Sequence, residues 1–249
     1  MLGLQMLPIG AVSAASSPSQ SYAGYVVTAS TGNNITGIKA SWIVPTLTCT
    51  STNTYSNMSA MIDGLVSPST DQMSAGTYAN CIGGSAVYGA YVIIHPVTAK
   101  TVTTMPTVHA GDHIEVKAKW NTVTRGWHVS IKDLQTSMTG KVTTKGTLAQ
   151  PALNSAAVLI WVKAGSPLSN FGTAGFGSLY TGDTHSVTIT AGFADKTVQK
   201  SISLGSLGAH TGYTLTQYNM VDASSNPMAT TGPLDKHGKS FYITWNAAT

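Results

Sequence analysis

Short segments in which apolar and polar residues alternate follow one another from Tyr22 to the end of the chain. Turns rich in Gly, Pro, Asn and Ser separate them, and no helical stripe is longer than about two turns. Alternation with a period of two predicts strands, so the pattern predicts an all-β fold, a large antiparallel sandwich. Glycine-rich stretches at 172–178 and 203–209 are predicted to be turns. The clearest strand candidates are 22–29, 38–45, 86–96, 113–120, 127–134, 156–164, 186–193, 213–221 and 240–245.

Residues 1–21 differ from this pattern, because they open with an apolar stretch that ends in small residues. Such a stretch is typical of a secretory signal, although the basic leader is missing. Alternation of Leu2, Leu4 and Met6 with Gly3 and Gln5 also allows a strand docked along a sheet edge, either of this chain or of a second copy. Residues 16–20 are then predicted to be a linker. The sequence thus predicts an apolar segment and linker at 1–21, with possible self-association through 1–15, and one β-sandwich domain at 22–249.

Charged residues are scarce, at 9% of the chain, and Gly, Ser and Thr are abundant. This composition favours a secreted or cell-surface protein with a hydroxyl-rich surface. The formal charge is +4 without the seven histidines, so the protein becomes strongly cationic in acid, and an acidic habitat is plausible. No basic run with interleaved aromatic residues occurs, so no nucleic-acid partner is expected. No apolar stretch is long enough to span a membrane.

Two cysteines and two glycosylation sequons indicate in which cellular compartment the protein folds. Cys49 and Cys81 either form a disulfide, closing a loop of about 33 residues worth roughly 3–4 kcal/mol, or stay as two buried thiols. Their spacing matches neither a redox motif nor a zinc site. Asn34 and Asn57 begin Asn-x-Ser/Thr sequons and are candidate glycan acceptors.

Common catalytic motifs are absent from the sequence. It contains neither a Gly-x-Ser-x-Gly elbow nor a His-Glu-x-x-His motif, and no phosphate-binding glycine loop, so we predict no metal site and no cofactor. Paired catalytic carboxylates need two acids in contrasting environments, but the chain has one glutamate, Glu115. Glu115 shares a predicted strand face with Lys117 and Lys119, which indicates a solvated partner of lysines.

Several stretches, in order, resemble the glutamic peptidase (eqolisin) family of secreted acid endopeptidases. The resemblance rests on "YAGYVV", "ASWIVPTLTC", "MIDG", "DQMSAGTYANC", "YGAYVIIHP", "SNFGTAGF" and "SFYITW", which together span most of residues 22–245. It implies a double antiparallel β-sandwich, a disulfide between Cys49 and Cys81, and a peptide or protein substrate if the protein is active.

The resemblance also implies a catalytic pair of one glutamine and one glutamate. In the family the glutamate deprotonates the attacking water and the glutamine stabilises the oxyanion. Gln72 matches the glutamine; without its acid it is otherwise a turn residue or a ligand contact. The glutamate's strand resembles "NSAAVLIWVK", where the glutamate position becomes Ala157 if aligned on Ser155 and Ala156, or Ile160 if aligned on Trp161.

Neighbouring positions depart from the family pattern as well. Ser59 stands where the family has a tryptophan, and Tyr91 and Ile93 stand where it has Trp and Glu. Changes clustered around one cleft favour natural divergence over a single engineered substitution. Asp63 and Asp71 are the nearest candidates for a substitute acid, but an aspartate is one methylene shorter and a misplacement near 1 Å can cost about a hundredfold in rate.

Three functions remain open from the sequence. The first is a non-catalytic secreted sandwich, either an assembly subunit, with strand exchange into filaments as one route, or a binding protein. The second is an acid endopeptidase, with Ala157 as an inactivating replacement of the glutamate or with another acid in its place. The third is a carbohydrate-binding sandwich, although the tyrosines and tryptophans mostly fall in predicted core positions.

Overall fold

The computed structural model describes residues 14–65, 72–95, 100–144, 148–163, 165–177, 186–192 and 200–247. Within these ranges the chain forms 17 strands and the five-residue helix α1, and no described helix has the length and apolar character to cross a membrane. The strands are β1 (Ala15–Ser19), β2 (Tyr22–Ala29), β3 (Asn34–Ile43), β4 (Asn57–Ile62), β5 (Gln72–Ile82), β6 (Ser85–His95), β7 (Lys100–Val102), β8 (His113–Asn121), β9 (Gly126–Asp133), β10 (Thr139–Thr144), β11 (Ser155–Trp161), β12 (Thr173–Phe176), β13 (Thr188–Gly192), β14 (Lys200–Ser203), β15 (Tyr213–Val221), β16 (Pro227–Thr231) and β17 (Phe241–Trp245); α1 is Leu204–Gly208.

The strands pair into two layers of seven. Layer 1 has the order β1-β15-β2-β11-β4-β5-β6. Layer 2 has the order β14-β13-β3-β8-β9-β10-β7. Strands β16, β17 and β12 run between β15 of layer 1 and β3 of layer 2 and join the two layers. Every strand pair is antiparallel except β1 with β15, so the predicted antiparallel sandwich is confirmed.

The main core lies between the layers, and a series of aromatic rings crosses it. The Tyr25 ring contacts Phe241 at 4.9 Å between centroids, and Phe241 stacks on Phe176 at 5.0 Å. Phe176 in turn contacts Trp42 of layer 2 at 5.9 Å. The Trp42 indole N–H donates to Thr77 Oγ1 of layer 1 at 2.9 Å, which satisfies a buried donor and ties the layers together.

Cys49 and Cys81 form a disulfide across 32 positions of sequence, as the family resemblance implies. Cys81 is the penultimate residue of β5 in layer 1 and is buried, whereas Cys49 lies in the connection between β3 and β4 and is partly buried. The disulfide therefore fixes the long β3–β4 connection to the C-terminal end of strand β5. Its chain-entropy contribution, roughly 3–4 kcal/mol, is lost on reduction.

Each of the nine predicted strand segments contains a strand in the structure. The strands that were not predicted are short or alternate weakly between apolar and polar residues. The stretch 172–178, predicted as a turn, contains β12, and 203–209 contains α1, which begins after Ser203; its Oγ accepts from the Ser206 N–H. The predicted linker at 16–20 is mostly strand, because β1 pairs with Thr216–Met220 of β15. The segment 1–13 lies outside the described residues, so edge docking and self-association through 1–15 stay predictions.

Candidate functional site

The residues predicted for the site converge on the face of layer 1 that points away from the main core. In β5 the odd-numbered residues from Met73 to Cys81 pack in the core, so Gln72 and Ser74 face outward. Pairing aligns Ser74 with Met61 of β4, and Met61 with Ala157 of β11. Directly paired residues share a face of an antiparallel sheet. We call this surface the outer face of layer 1; its members include Val26, Ser59, Met61, Gln72, Ser74, Tyr91, Ile93, His95, Ala157, Leu159 and Trp161.

Gln72 begins strand β5 and is not a turn residue. It pairs with His95 of β6, whose side chain is exposed. Its side chain packs over Gly64, where a Cβ atom would come within 2.8 Å of Cγ and 2.9 Å of Cδ and Oε1 of Gln72. Gly64 has φ +84°, a conformation that favours glycine, so the β4–β5 connection makes room for the amide. The amide is partly exposed on the outer face and can contact a ligand.

The register decides between the two candidate positions for the family's glutamate. Ile160 packs in the main core with Met58, its partner on β4. Ala157 faces the same side as Gln72, and two interstrand spacings of about 4.8 Å separate its backbone from that of Ser74. Only the Ala157 position points toward the glutamine.

Ala157 is surrounded by apolar side chains. It is 1% exposed and belongs to a small buried cluster with Val26, Met61 and Leu159, which Tyr22, Leu65, Trp161 and Tyr218 flank. The seven described strands of layer 1 contain no Asp, Glu, Lys or Arg. A low-dielectric surface of this kind offers no proton acceptor at Ala157.

The carboxylate of Asp63, a candidate substitute acid, is hydrogen-bonded to the backbone. It is 1% exposed, and its carboxylate accepts from the N–H groups of Leu153 at 2.7 Å, Asn154 at 2.9 Å and Ser155 at 3.2 Å. Its φ of +58° turns the chain after β4 so that this contact forms. The interaction ties the end of β4 to the start of β11, and its geometry indicates a structural role. Asp71, the other candidate, lies outside the described residues.

Tyr91 belongs to a polar cluster with Ser59 and Trp161. The Trp161 indole N–H donates to Ser59 Oγ at 2.6 Å and to the Tyr91 hydroxyl at 3.0 Å, and the Ser59 and Tyr91 hydroxyls also bond to each other. Burial raises the pKa of the Tyr91 hydroxyl above its usual value, and these hydrogen bonds oppose that effect only in part. The phenol therefore stays protonated and serves to hold Trp161 across β11, β4 and β6.

Glu115, the chain's single glutamate, lies far from this site, in β8 of layer 2. Its carboxylate contacts Lys117 Nζ at 2.6 Å and Lys39 Nζ at 3.1 Å, so the predicted lysine partnership is confirmed. The prediction that it is solvated was wrong, because Glu115 is only 6% exposed. Burial alone would raise the pKa of its carboxyl, but the hydrogen bonds and charges of Lys117 and Lys39 outweigh burial and lower it.

Both sequon asparagines lie in strands and are partly buried. The Asn57 amide donates to the Trp161 carbonyl at 3.2 Å, and the Asn34 amide packs against Gly192. Glycosylation at either position stays a prediction. No cluster of three or more potential metal ligands occurs in the part of the chain that the structure describes.

Comparison with known proteins gives one family and one fold. The sequence profile of the peptidase A4 family matches residues 20–224. Scytalido-glutamic peptidase with a transition state analog inhibitor is similar in structure, with a TM-score of 0.66 and 13% identity over 92% of this chain and 100% of that one. SCP-B, a member of the eqolisin family in complex with the tripeptide Ala-Ile-His, gives 0.64 and 12% over 92% and 100%. Aspergilloglutamic peptidase from Aspergillus niger gives 0.54 and 15% over 78% and 99%. No curated protein sequence matches.

Proposed function

Since the chain belongs to the peptidase A4 family, we propose that it is a secreted, non-catalytic member that keeps the peptidase sandwich and its glutamine but lacks the general base. The observation that supports this most directly is the surface around Ala157, where Val26, Met61 and Leu159 pack against the alanine methyl and the described cluster contains no carboxylate. Hydrolysis on this scaffold needs a proton acceptor facing the amide of Gln72, and a methyl group cannot accept a proton.

Asp63 offers little compensation for the missing glutamate. The Asp63 carboxylate already accepts three backbone N–H groups, and moving it to a water would leave those donors buried and unpaired. The described strands of layer 1 supply no other carboxylate. The disulfide and the family's secreted members support an extracellular location.

Within this proposal the protein is an assembly subunit or a binding protein. Among the strands that the structure describes, β1 pairs with β15 alone and forms the edge of layer 1, so its other side is available for a further strand. Strand exchange through residues 1–15 would extend from that edge. Removing residues 1–13 is expected to abolish any oligomers that the full chain forms in size-exclusion chromatography; unchanged oligomers would contradict the assembly role.

The alternative is an acid endopeptidase, which Gln72 and the family support. Incubation of the purified protein with denatured casein between about pH 2 and pH 5 separates the two. We expect no cleavage by the natural sequence. Cleavage that Gln72→Ala abolishes would overturn the proposal, whereas cleavage unaffected by Gln72→Ala would come from a contaminating protease.

The variant Ala157→Glu sharpens the same experiment, because it puts the acid back at the family position. Activity gained by Ala157→Glu, and lost again when Gln72→Ala is added, would show that only the base is missing. Ala157→Gln is the matched control, since it adds the same volume without a proton acceptor.

A further inference from the structure

A groove lies on the outer face of layer 2, the face of that layer that points away from the main core. It has a volume of about 420 Å³, within the range of ligand sites in proteins. Strands β3, β8, β9, β10, β13 and β14 contribute to it. Its lining residues are Ile38, Lys39, Lys117, Ala118, Lys119, His128, Val129, Ser130, Lys141, Thr143, Thr188, Thr190 and Ser201.

Strand register places the lysines of the groove side by side. Lys39 of β3 is paired with Lys117 of β8, and on β9 and β10 Ser130 is paired with Lys141. Lys119 is paired with Gly37 on β3. A Cβ at Gly37 would lie 2.9 Å from Thr190 Oγ1, so this glycine keeps the floor of the groove open between β13 and β8.

The positive charge of the groove is only partly neutralised within the chain. Glu115 contacts both Lys39 and Lys117. Lys119 and Lys141 form no ion pair with any residue that the structure describes. One carboxylate therefore serves four ammonium groups. Like charges on neighbouring strands destabilise a sheet, so an anionic ligand would relieve this repulsion.

The remaining lining residues narrow the chemistry of that ligand. Five hydroxyl side chains, which can both donate and accept hydrogen bonds, alternate with the lysines: Ser130, Thr143, Thr188, Thr190 and Ser201. No Phe, Tyr or Trp is among the described lining residues and His128 supplies the single aromatic ring, so the groove lacks a row of rings for stacking successive bases of a single-stranded nucleic acid. A ligand that carries both hydroxyl groups and negative charges would match these serines, threonines and lysines. An acidic polysaccharide carries both.

We propose that this groove binds a segment of an acidic polysaccharide, with Lys119 and Lys141 contacting its carboxylates and the Ser and Thr side chains its hydroxyls. Lys39 and Lys117, held in place by Glu115, form the centre of the site. The site is independent of the chemistry at Ala157, because the two outer faces belong to different layers.

The experiment measures binding of the full chain to polygalacturonate by calorimetry at low ionic strength, with dextran, polyglutamate and single-stranded polynucleotide as comparison polymers. We expect polygalacturonate to bind tightest and its affinity to fall steeply with added salt, since exposed charges are screened within about 10 Å at 0.1 M. The double variant Lys119→Gln/Lys141→Gln should weaken binding at least tenfold while thermal denaturation shows an intact fold.

The matched control is Lys163→Gln/Lys236→Gln, which removes the same charge from exposed positions outside the groove. It should change the affinity less than twofold. Equal losses in the two double variants would overturn the proposal in favour of general charge attraction. Absence of polygalacturonate binding, or equal or tighter binding of polynucleotide, polyglutamate or dextran, would also overturn it.

Discussion

The outer faces of the two layers have the same strand geometry and opposite chemistry. The strands of layer 1 contain no Asp, Glu, Lys or Arg, and their outer face buries an apolar cluster around Ala157. The strands of layer 2 hold seven of the chain's 13 lysine and arginine residues, and their outer face forms an open groove. These lysines are Lys39, Lys100, Lys117, Lys119, Lys132, Lys141 and Lys200.

This difference shows that the sandwich fold determines which positions face outward and can form a functional site, but not the chemistry of that site. Both faces alternate with core positions, so the side chains on them are constrained by packing less than those in the core. On layer 1 the outward positions hold aliphatic groups and a tyrosine–serine–tryptophan cluster. On layer 2 the corresponding outward positions hold cations and hydroxyls. Each prediction below tests one side of that contrast.

The largest effect is expected from placing a charge on the outer face of layer 1. Leu159 is fully buried beside Ala157, so Leu159→Lys should reduce the free energy of unfolding by about 4 kcal/mol or more, or prevent folding. Urea denaturation followed by circular dichroism measures it. The reciprocal change, Lys119→Leu on layer 2, is exposed and should alter stability by about 0.5 kcal/mol or less. Similar costs for both variants would refute the contrast.

The second effect concerns Asp63, which joins the end of β4 to the start of β11 in layer 1. Asp63→Ala leaves the buried N–H groups of Leu153 and Ser155, and that of Asn154, without their acceptor, and should cost about 3 kcal/mol. Asp63→Asn keeps the shape and one acceptor oxygen, so its cost should be roughly half. Thermal denaturation compares them, and a loss below about 1 kcal/mol for Asp63→Ala would argue against the structural role.

The third effect concerns the ion pairs of Glu115 with Lys39 and Lys117 on layer 2. Glu115→Gln removes the charge between Lys39 and Lys117 and should cost about 1–2 kcal/mol at pH 7. Because the folded pKa of Glu115 is lowered, its contribution is complete above the unfolded pKa, near 4.3, and is lost as pH falls through the folded value. The difference in free energy of unfolding between the natural protein and the variant should therefore shrink as the pH falls below the unfolded pKa. A gap independent of pH would exclude an electrostatic origin.

The smallest effect tests the polar cluster on layer 1. Tyr91→Phe removes the hydroxyl that contacts Ser59 and Trp161 and should cost about 1 kcal/mol below pH 10. The raised pKa of Tyr91 means that its contribution persists up to the unfolded value, near 10, and is lost as pH rises through the folded value. Absorbance titration at alkaline pH should lose one late-titrating tyrosine in the variant. An unchanged titration would show that Tyr91 is not the protected phenol.

The strands were largely predictable because their signal is local. Strongly alternating segments such as Tyr22–Ala29 and Tyr213–Val221 were predicted with their observed bounds. Strand β5 was not among the predicted strands, because the stretch from Ser74 to Ala79 contains few bulky or β-branched side chains. Layer-to-layer packing overrides that weak propensity, since Met73 and Ala75 are fully buried in the main core.

The candidate site was only half predictable. Gln72 and Ala157 came from motif resemblance, but the sequence left Ile160 as an equal choice and kept Asp63 as a substitute acid. The strand register puts Ile160 in the main core and Ala157 on the face of Gln72. The carboxylate of Asp63 accepts three backbone hydrogen bonds, which indicates a structural role. The lysine groove was not predicted, because its four lysines are scattered singly or in pairs along three strands that are far apart in the sequence.

The sequence by itself determined that the chain folds into a β-sandwich resembling that of the glutamic peptidases, and that its one glutamate, Glu115, lies outside the stretches that carry this resemblance. Only the tertiary structure decided which residues share a face: that Ala157 faces the side of Gln72, that Glu115 is buried between two lysines, and that distant lysines form one groove. The reason is that strand pairing joins residues far apart in the chain, and a shift of one residue in register would move every side chain of a strand to the opposite face.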